Sequence, residues 1–187
     1  MKNNNSTRTL ALCSILTALV VILQLMGAFL HFGMFSVSLV LIPIVIGTAT
    51  CGIGAGAWLG FVFGVVVLLS GDAGAFLAVN PLGTVITVLA KGILCGAIAG
   101  LAYKALEKYN RYLAVVVAAI VCPMVNTGVF LLGCLAFFME TITQWAGGAN
   151  GVQYIFVGLI GLNFFVEVLV NLVLSPVIVR LINIREK

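Results

Sequence analysis

Six apolar runs take up most of this 187-residue chain: Thr9–Leu30, Phe35–Ala49, Gly52–Leu69, Pro81–Leu106, Tyr112–Phe138 and Val152–Ile184. A helix needs about 20 apolar residues to cross the hydrocarbon of a bilayer. Backbone inside lipid must satisfy its own N–H and C=O groups, which restricts spanning segments of this kind to helices. The chain is 63% hydrophobic and 7% charged, whereas a soluble domain carries about 25% charged residues. The expectation is an all-α integral membrane protein, a bundle of six transmembrane helices forming one domain over residues 1–187. The second run is short, which fits a tilted helix, one flanked by interfacial residues, or one shielded by protein.

The connectors are Gly27–Ser38, Thr48–Gly54, Gly71–Asn80, Glu107–Arg111 and Met139–Gln153. They are rich in Gly, Asn and charge, as helix boundaries are. Asn80-Pro81 reads as a helix start, with Asn as N-cap and Pro at the first helical position. Eight basic residues flank the runs: Lys2, Arg8, Lys104, Lys108, Arg111, Arg180, Arg185 and Lys187. With six spans, the positive-inside rule puts all of them on one side, so both termini are expected in the cytoplasm. The connectors around His31, Asp72 and Glu140 then face out and hold no Lys or Arg. A net charge of +4 gathered at membrane flanks is no argument for nucleic-acid binding.

Lys91 and Glu167 break the apolar pattern inside runs. A charge at the bilayer centre costs about 2.5–3.5 kcal/mol on insertion scales, and such residues face a bundle interior, a pathway or a ligand. They sit in polar stripes. Asn80, Thr84, Thr87 and Lys91 follow one helical face of the fourth run; Asn163, Glu167 and Asn171 recur every fourth residue on the sixth. The fifth run adds Asn126 and Thr127 just after Pro123. Each has a plainer reading beside the functional one. Lys91 and Glu167 could be a structural buried pair. Asn126 and Thr127 could serve carbonyls that Pro123 leaves open, and the other asparagines could be interhelical glue. His31 reads as interfacial or ligand-binding, and Trp58 and Trp145 as interface anchors.

Glycines recur every fourth residue on the third run (Gly52, Gly56, Gly60, Gly64) and on the fourth (Gly92, Gly96, Gly100). This spacing builds a smooth face for close helix approach, used for internal packing or for docking. Ser14 and Ala18 form a small pair with the same spacing on the first run. No GxxxxGK[ST] loop, HExxH, Cys/His cluster or GxSxG frame occurs, so neither catalytic residues nor a metal site nor a cofactor is expected. The five cysteines, without CxxC spacing, read as small buried thiols.

The segment Ser14-Ile15-Leu16-Thr17-Ala18 resembles the alanine-xxx-alanine motif of substrate-binding (S) components of energy-coupling factor (ECF) vitamin transporters, with Ser14 in place of the first alanine. GIGAGAWLGFVFG, NPLGTVITVLAKGILCGAIAGL, MVNTGVFLLG and GLNFFVEVLVNLVLSPVIVRLI resemble the same family. The asparagine-proline-leucine and asparagine-threonine signatures look most like its pantothenate-type members. The resemblance implies capture of a water-soluble vitamin at the outer face of a cell membrane, that of a bacterium. It also implies a transmembrane coupling subunit and two ATPase subunits as partners. Candidate substrate residues are Asn80, Thr84, Thr87, Lys91, Asn126, Thr127, Asn163 and Glu167; candidate docking residues are Ser14, Ala18, Gly56 and Gly60. The three outward connectors are expected to close as lids. The alternative from the residues alone is a self-contained secondary carrier in which Glu167 exchanges a proton.

Overall fold

The computed structural model describes residues 2–27, 31–32, 35–36, 39–147, 150–154 and 161–185, with side chains over 7–27, 39–147, 150–154, 164–180 and 182. The regular structure of the described residues is helical apart from a two-residue ladder in which His31 pairs with Ser36 and Phe32 with Phe35. The helices are α1 (Lys2–Gly27), α2 (Leu41–Cys51), α3 (Ile53–Ser70), α4 (Gly74–Val79) and α5 (Pro81–Leu106), then α6 (Arg111–Phe137), α7 (Met139–Trp145), α8 (Gly151–Tyr154) and α9 (Gly161–Arg185). Among the described residues, four helical stretches are long and apolar enough to cross a membrane: Thr7–Gly27, Ile53–Ser70, Pro81–Leu106 and Arg111–Phe137. Shorter apolar α2 accompanies them.

Local chemistry sets the boundaries. Asn80 Oδ1 accepts a hydrogen bond from the Gly83 amide at 2.9 Å, and Pro81 occupies the first turn, as Asn-Pro predicts. Asn110 caps α6 the same way, accepting from Leu113 N at 3.1 Å. Gly52, at φ +95°, separates α2 from α3, and Gly71, at φ +90°, ends α3. A Cβ is strained in either conformation. One apolar run differs from expectation. The second begins at Leu41 instead of Phe35, after the small ladder. Of the sixth, the described parts are α8, Gly151–Tyr154, and the long helix Gly161–Arg185.

The short α2 owes its place to its neighbours. It packs against α1, α3, α5, α6 and α9, and Leu41, Ile44 and Val45 are fully buried. Protein, more than lipid, surrounds this segment, so its length need not match the bilayer.

The closest pairing is α3 with α5. A Cβ on Gly60 would strike the Gly92 carbonyl, and one on Gly92 would strike the Gly60 carbonyl. Gly56 meets Gly96 in the same manner, and a Cβ on Gly64 would lie 3.0 Å from Val88 O. The helices therefore run antiparallel with backbone against backbone. α2 enters the same seam: Thr48 Oγ1 donates to Gly96 O at 3.3 Å, in the space that side chains on Gly56 and Gly100 would fill. This corrects one expectation. Gly56 and Gly60 face α5, inside the chain's own packing, and cannot present a docking surface.

The seam predicts a contrast in thermal unfolding of the purified protein in detergent. Gly60→Ala should cost about 1–3 kcal/mol, the usual price of overpacking. Gly54→Ala, where a Cβ meets open space, should leave stability unchanged or raise it. Equal midpoints for the two variants would rule out the backbone contact.

Candidate substrate site

Packing of α5 between α3 and α6 brings Lys91 between two aromatic rings. Its Nζ lies 5.4 Å from the centroid of Phe63 on α3 and 5.5 Å from that of Phe130 on α6. Each ring face attracts a cation, by about 1 kcal/mol where, as here, the lysine is only half-buried. The carboxylates of Glu167 and Asp72 also act on this charge. Glu167 is buried on α9, and Asp72 stands in the connector after α3.

One turn before Lys91 on α5, Thr87 is buried against Gly133 of α6, where a Cβ would overlap its side chain. On α6, Asn126 is buried four residues before Phe130, so the amide and the ring over Lys91 share a helix face. Asn126 falls between two apolar clusters. The buried α6 residues of one end at Cys122; those of the other begin at Cys134. Among the described residues three buried oxygens have no hydrogen-bond partner: Thr87 Oγ1, Asn126 Oδ1 and Asn171 Oδ1. Leaving such an atom unpaired costs about 1–3 kcal/mol, so Thr87 and Asn126, on the two helices that carry Lys91 and Phe130, mark a level that a polar molecule would complete.

The other expected residues fall differently. Asn80 spends its oxygen capping α5, and Thr84 Oγ1 donates to Asn80 O at 2.8 Å. Both therefore support the start of the helix that carries Lys91. Thr127 is half-buried and, as the neighbour of Asn126, points about 100° away from it. The side chains of Asn163 and His31 lie outside the described residues. Ser14 and Ala18 are exposed on α1, and Ser14 Oγ returns to Leu10 O at 3.0 Å, leaving a small, smooth face. Trp58 is exposed beside that helix, its indole N–H donating to Thr17 Oγ1 at 3.3 Å. Trp145 is only half-buried and belongs to an aromatic cluster, its ring centroid 5.5 Å from that of Phe76.

Phe63, Phe130 and Asn171 were not among the expected site residues. The two rings give no signal in apolar runs until a cation is placed beside them. Asn171 did carry one, its spacing from Glu167. In the structure Asn171 Nδ2 donates to Glu167 O at 2.8 Å and Ser175 Oγ to Asn171 O at 2.9 Å. The first of these bonds holds the Asn171 side-chain amide, whose Oδ1 has no partner among the described residues.

The connectors that carry α4 and α7 meet beside Phe130. Phe76 of α4 stacks edge-on with Phe130, with Phe138, and with Trp145 of α7. Asp72 is tied to α1 by Gln24 Nε2, at 2.5 Å. All five cysteines are free thiols. Among the described residues no group of His, Cys, Asp and Glu is placed to hold a metal ion.

The unpaired threonine predicts an inverted mutational effect. Thr87→Val keeps the shape against Gly133 while removing an unsatisfied hydroxyl, so the ligand-free protein should unfold at the wild-type temperature or above it. A loss beyond about 1 kcal/mol would mean that the hydroxyl has a partner in the empty protein.

The model of a family described as ECF transporter, substrate-specific component, matches residues 8–179. No curated protein and no solved structure matches the chain. Members of the family are multi-pass proteins of the cell membrane. They bind a substrate for ATP-driven uptake, work with a coupling subunit and ATPase subunits, and are not enzymes. A match over nearly the full length, on a chain whose described residues include four membrane-length helices, gives the assignment: this chain belongs to the substrate-specific component family of ECF transporters.

Proposed function

We propose that the chain captures a small water-soluble compound bearing a carboxylate, of the vitamin or vitamin-precursor class, with Lys91 holding the anionic group. The observation that carries this reading is the Lys91 ammonium set between Phe63 and Phe130, with the unpaired oxygens of Thr87 and Asn126 on the same two helices. A carboxylate supplies the counter-charge for the ammonium. Hydroxyls or amides elsewhere on the compound would serve Asn126, Asn171 and Thr87. Glu167 would orient a ligand hydroxyl or balance Lys91 when the site is empty. Asn163 is a further candidate from its stripe, while Asn80, Thr84 and Thr127 recede to supporting positions.

In this reading α1, α2, α3, α5, α6 and α9 are six spans of a single domain with both termini in the cytoplasm. Support comes from the basic residues Lys104, Lys108 and Arg111 between α5 and α6, and from the tie between Gln24 and Asp72, which puts the far end of α1 beside the α3–α4 connector. Those connectors would close over the bound compound. Ser14 and Ala18, exposed on α1, would dock on the coupling subunit, and two ATPases would drive release inside. A side chain as large as Trp at Ala18 should then abolish uptake by the assembled transporter while leaving substrate binding to the isolated chain unchanged.

The test begins with mass spectrometry of small molecules released from the detergent-purified protein, with pantothenate, suggested by the sequence resemblance, as the first reference compound. Binding of the identified compound is then compared between wild type and Lys91→Gln. Loss of a charge-assisted hydrogen bond of about 2 kcal/mol corresponds to roughly a thirtyfold weaker Kd. Unchanged affinity would remove Lys91 from the site. Proteoliposomes holding this chain alone should take up nothing under a pH gradient; uptake there would instead favour a proton-coupled carrier.

A further inference from the structure

The two rings at Lys91 come from different helices, and neither is needed there merely to fill space with an apolar side chain. Phe63 is almost wholly buried in the main core, whereas Phe130 is half-buried and belongs to the second aromatic cluster through Phe76. Both present a ring to the same Nζ, at 5.4 and 5.5 Å. Leucine would fill either place but has no quadrupole to attract a cation.

We infer that Phe63 and Phe130 are positioning residues, a two-ring clamp that holds the Lys91 ammonium at its level in the empty protein. The inference rests on the reading of Lys91 as the anion-holding group, and adds how that group is kept ready. An ammonium has three N–H donors and a long flexible stem. A ring on each side restrains the stem and stabilises the charge without supplying a full negative charge. An incoming carboxylate therefore meets a cation already ordered, and less of its binding energy goes into fixing the lysine. Phe130 also links the clamp to the outward connectors, because Phe76 of α4 lies against it and against Trp145 of α7.

The test uses ligand-stripped full-length protein in detergent, with trinitrobenzenesulfonate as a water-soluble amine reagent and peptide mass spectrometry to read each lysine separately. In Phe63→Leu and Phe130→Leu, Lys91 should be labelled about fivefold faster than in wild type, the size of one lost cation–π contact. Lys104, exposed at the end of α5, should react at the same rate in every variant and so reports an intact fold. Phe130→Tyr, which keeps the ring, should label Lys91 as slowly as wild type. Equal Lys91 rates in wild type and both leucine variants would overturn the clamp, as would a tyrosine variant as reactive as its leucine counterpart. Since labelling needs no ligand, the result is independent of whether Lys91→Gln weakens binding.

Discussion

Backbone contact between α3 and α5 is the constraint on which the rest depends. Gly60 faces Gly92, Gly64 faces Val88, and no side chain stands between them. That register sets Phe63 and Lys91 at the same height on neighbouring helices. It also explains how a cation inside a membrane-length helix is tolerated, since the ring that stabilises it arrives with the packing. Thr48 of α2 closes the same seam, so this short apolar helix is seated against α3 and α5 where glycines leave room for it.

Stability and binding pull in opposite directions at the polar level. The apolar clusters to either side along α6 need nothing further, but Thr87, Asn126 and Asn171 leave oxygens unpaired between or beside them. Such groups cost free energy in the empty protein and return it when a ligand supplies partners. A substrate-specific component must recognise a polar compound inside an apolar bundle, and unpaired groups held by rigid helices are a physical means to that end.

Much of this was legible in the sequence, and the exceptions have physical causes. The limits of α5 were readable from Asn80-Pro81 and from Lys104 and Glu107, where capping and charge leave local marks. The stripe through Thr87 and Lys91 and the isolated Asn126 and Glu167 were readable because lipid excludes such groups. The partner of the glycine face was not. Four-residue spacing reports close approach, and the same pattern serves an internal helix as well as another subunit, so Gly56 and Gly60 were candidates for docking as well as for packing, and they pack against α5. The rings around Lys91 were hidden for a similar reason, because a phenylalanine in an apolar run carries no sign of what its face will meet.

The most direct test of the central claim is an experimental structure of the protein with its co-purified substrate. The account predicts an anionic group of that substrate about 2.8 Å from Lys91 Nζ, alongside the Phe63 and Phe130 rings, with Asn126 turned towards it. A substrate bound elsewhere, with Lys91 sealed against Glu167, would contradict it.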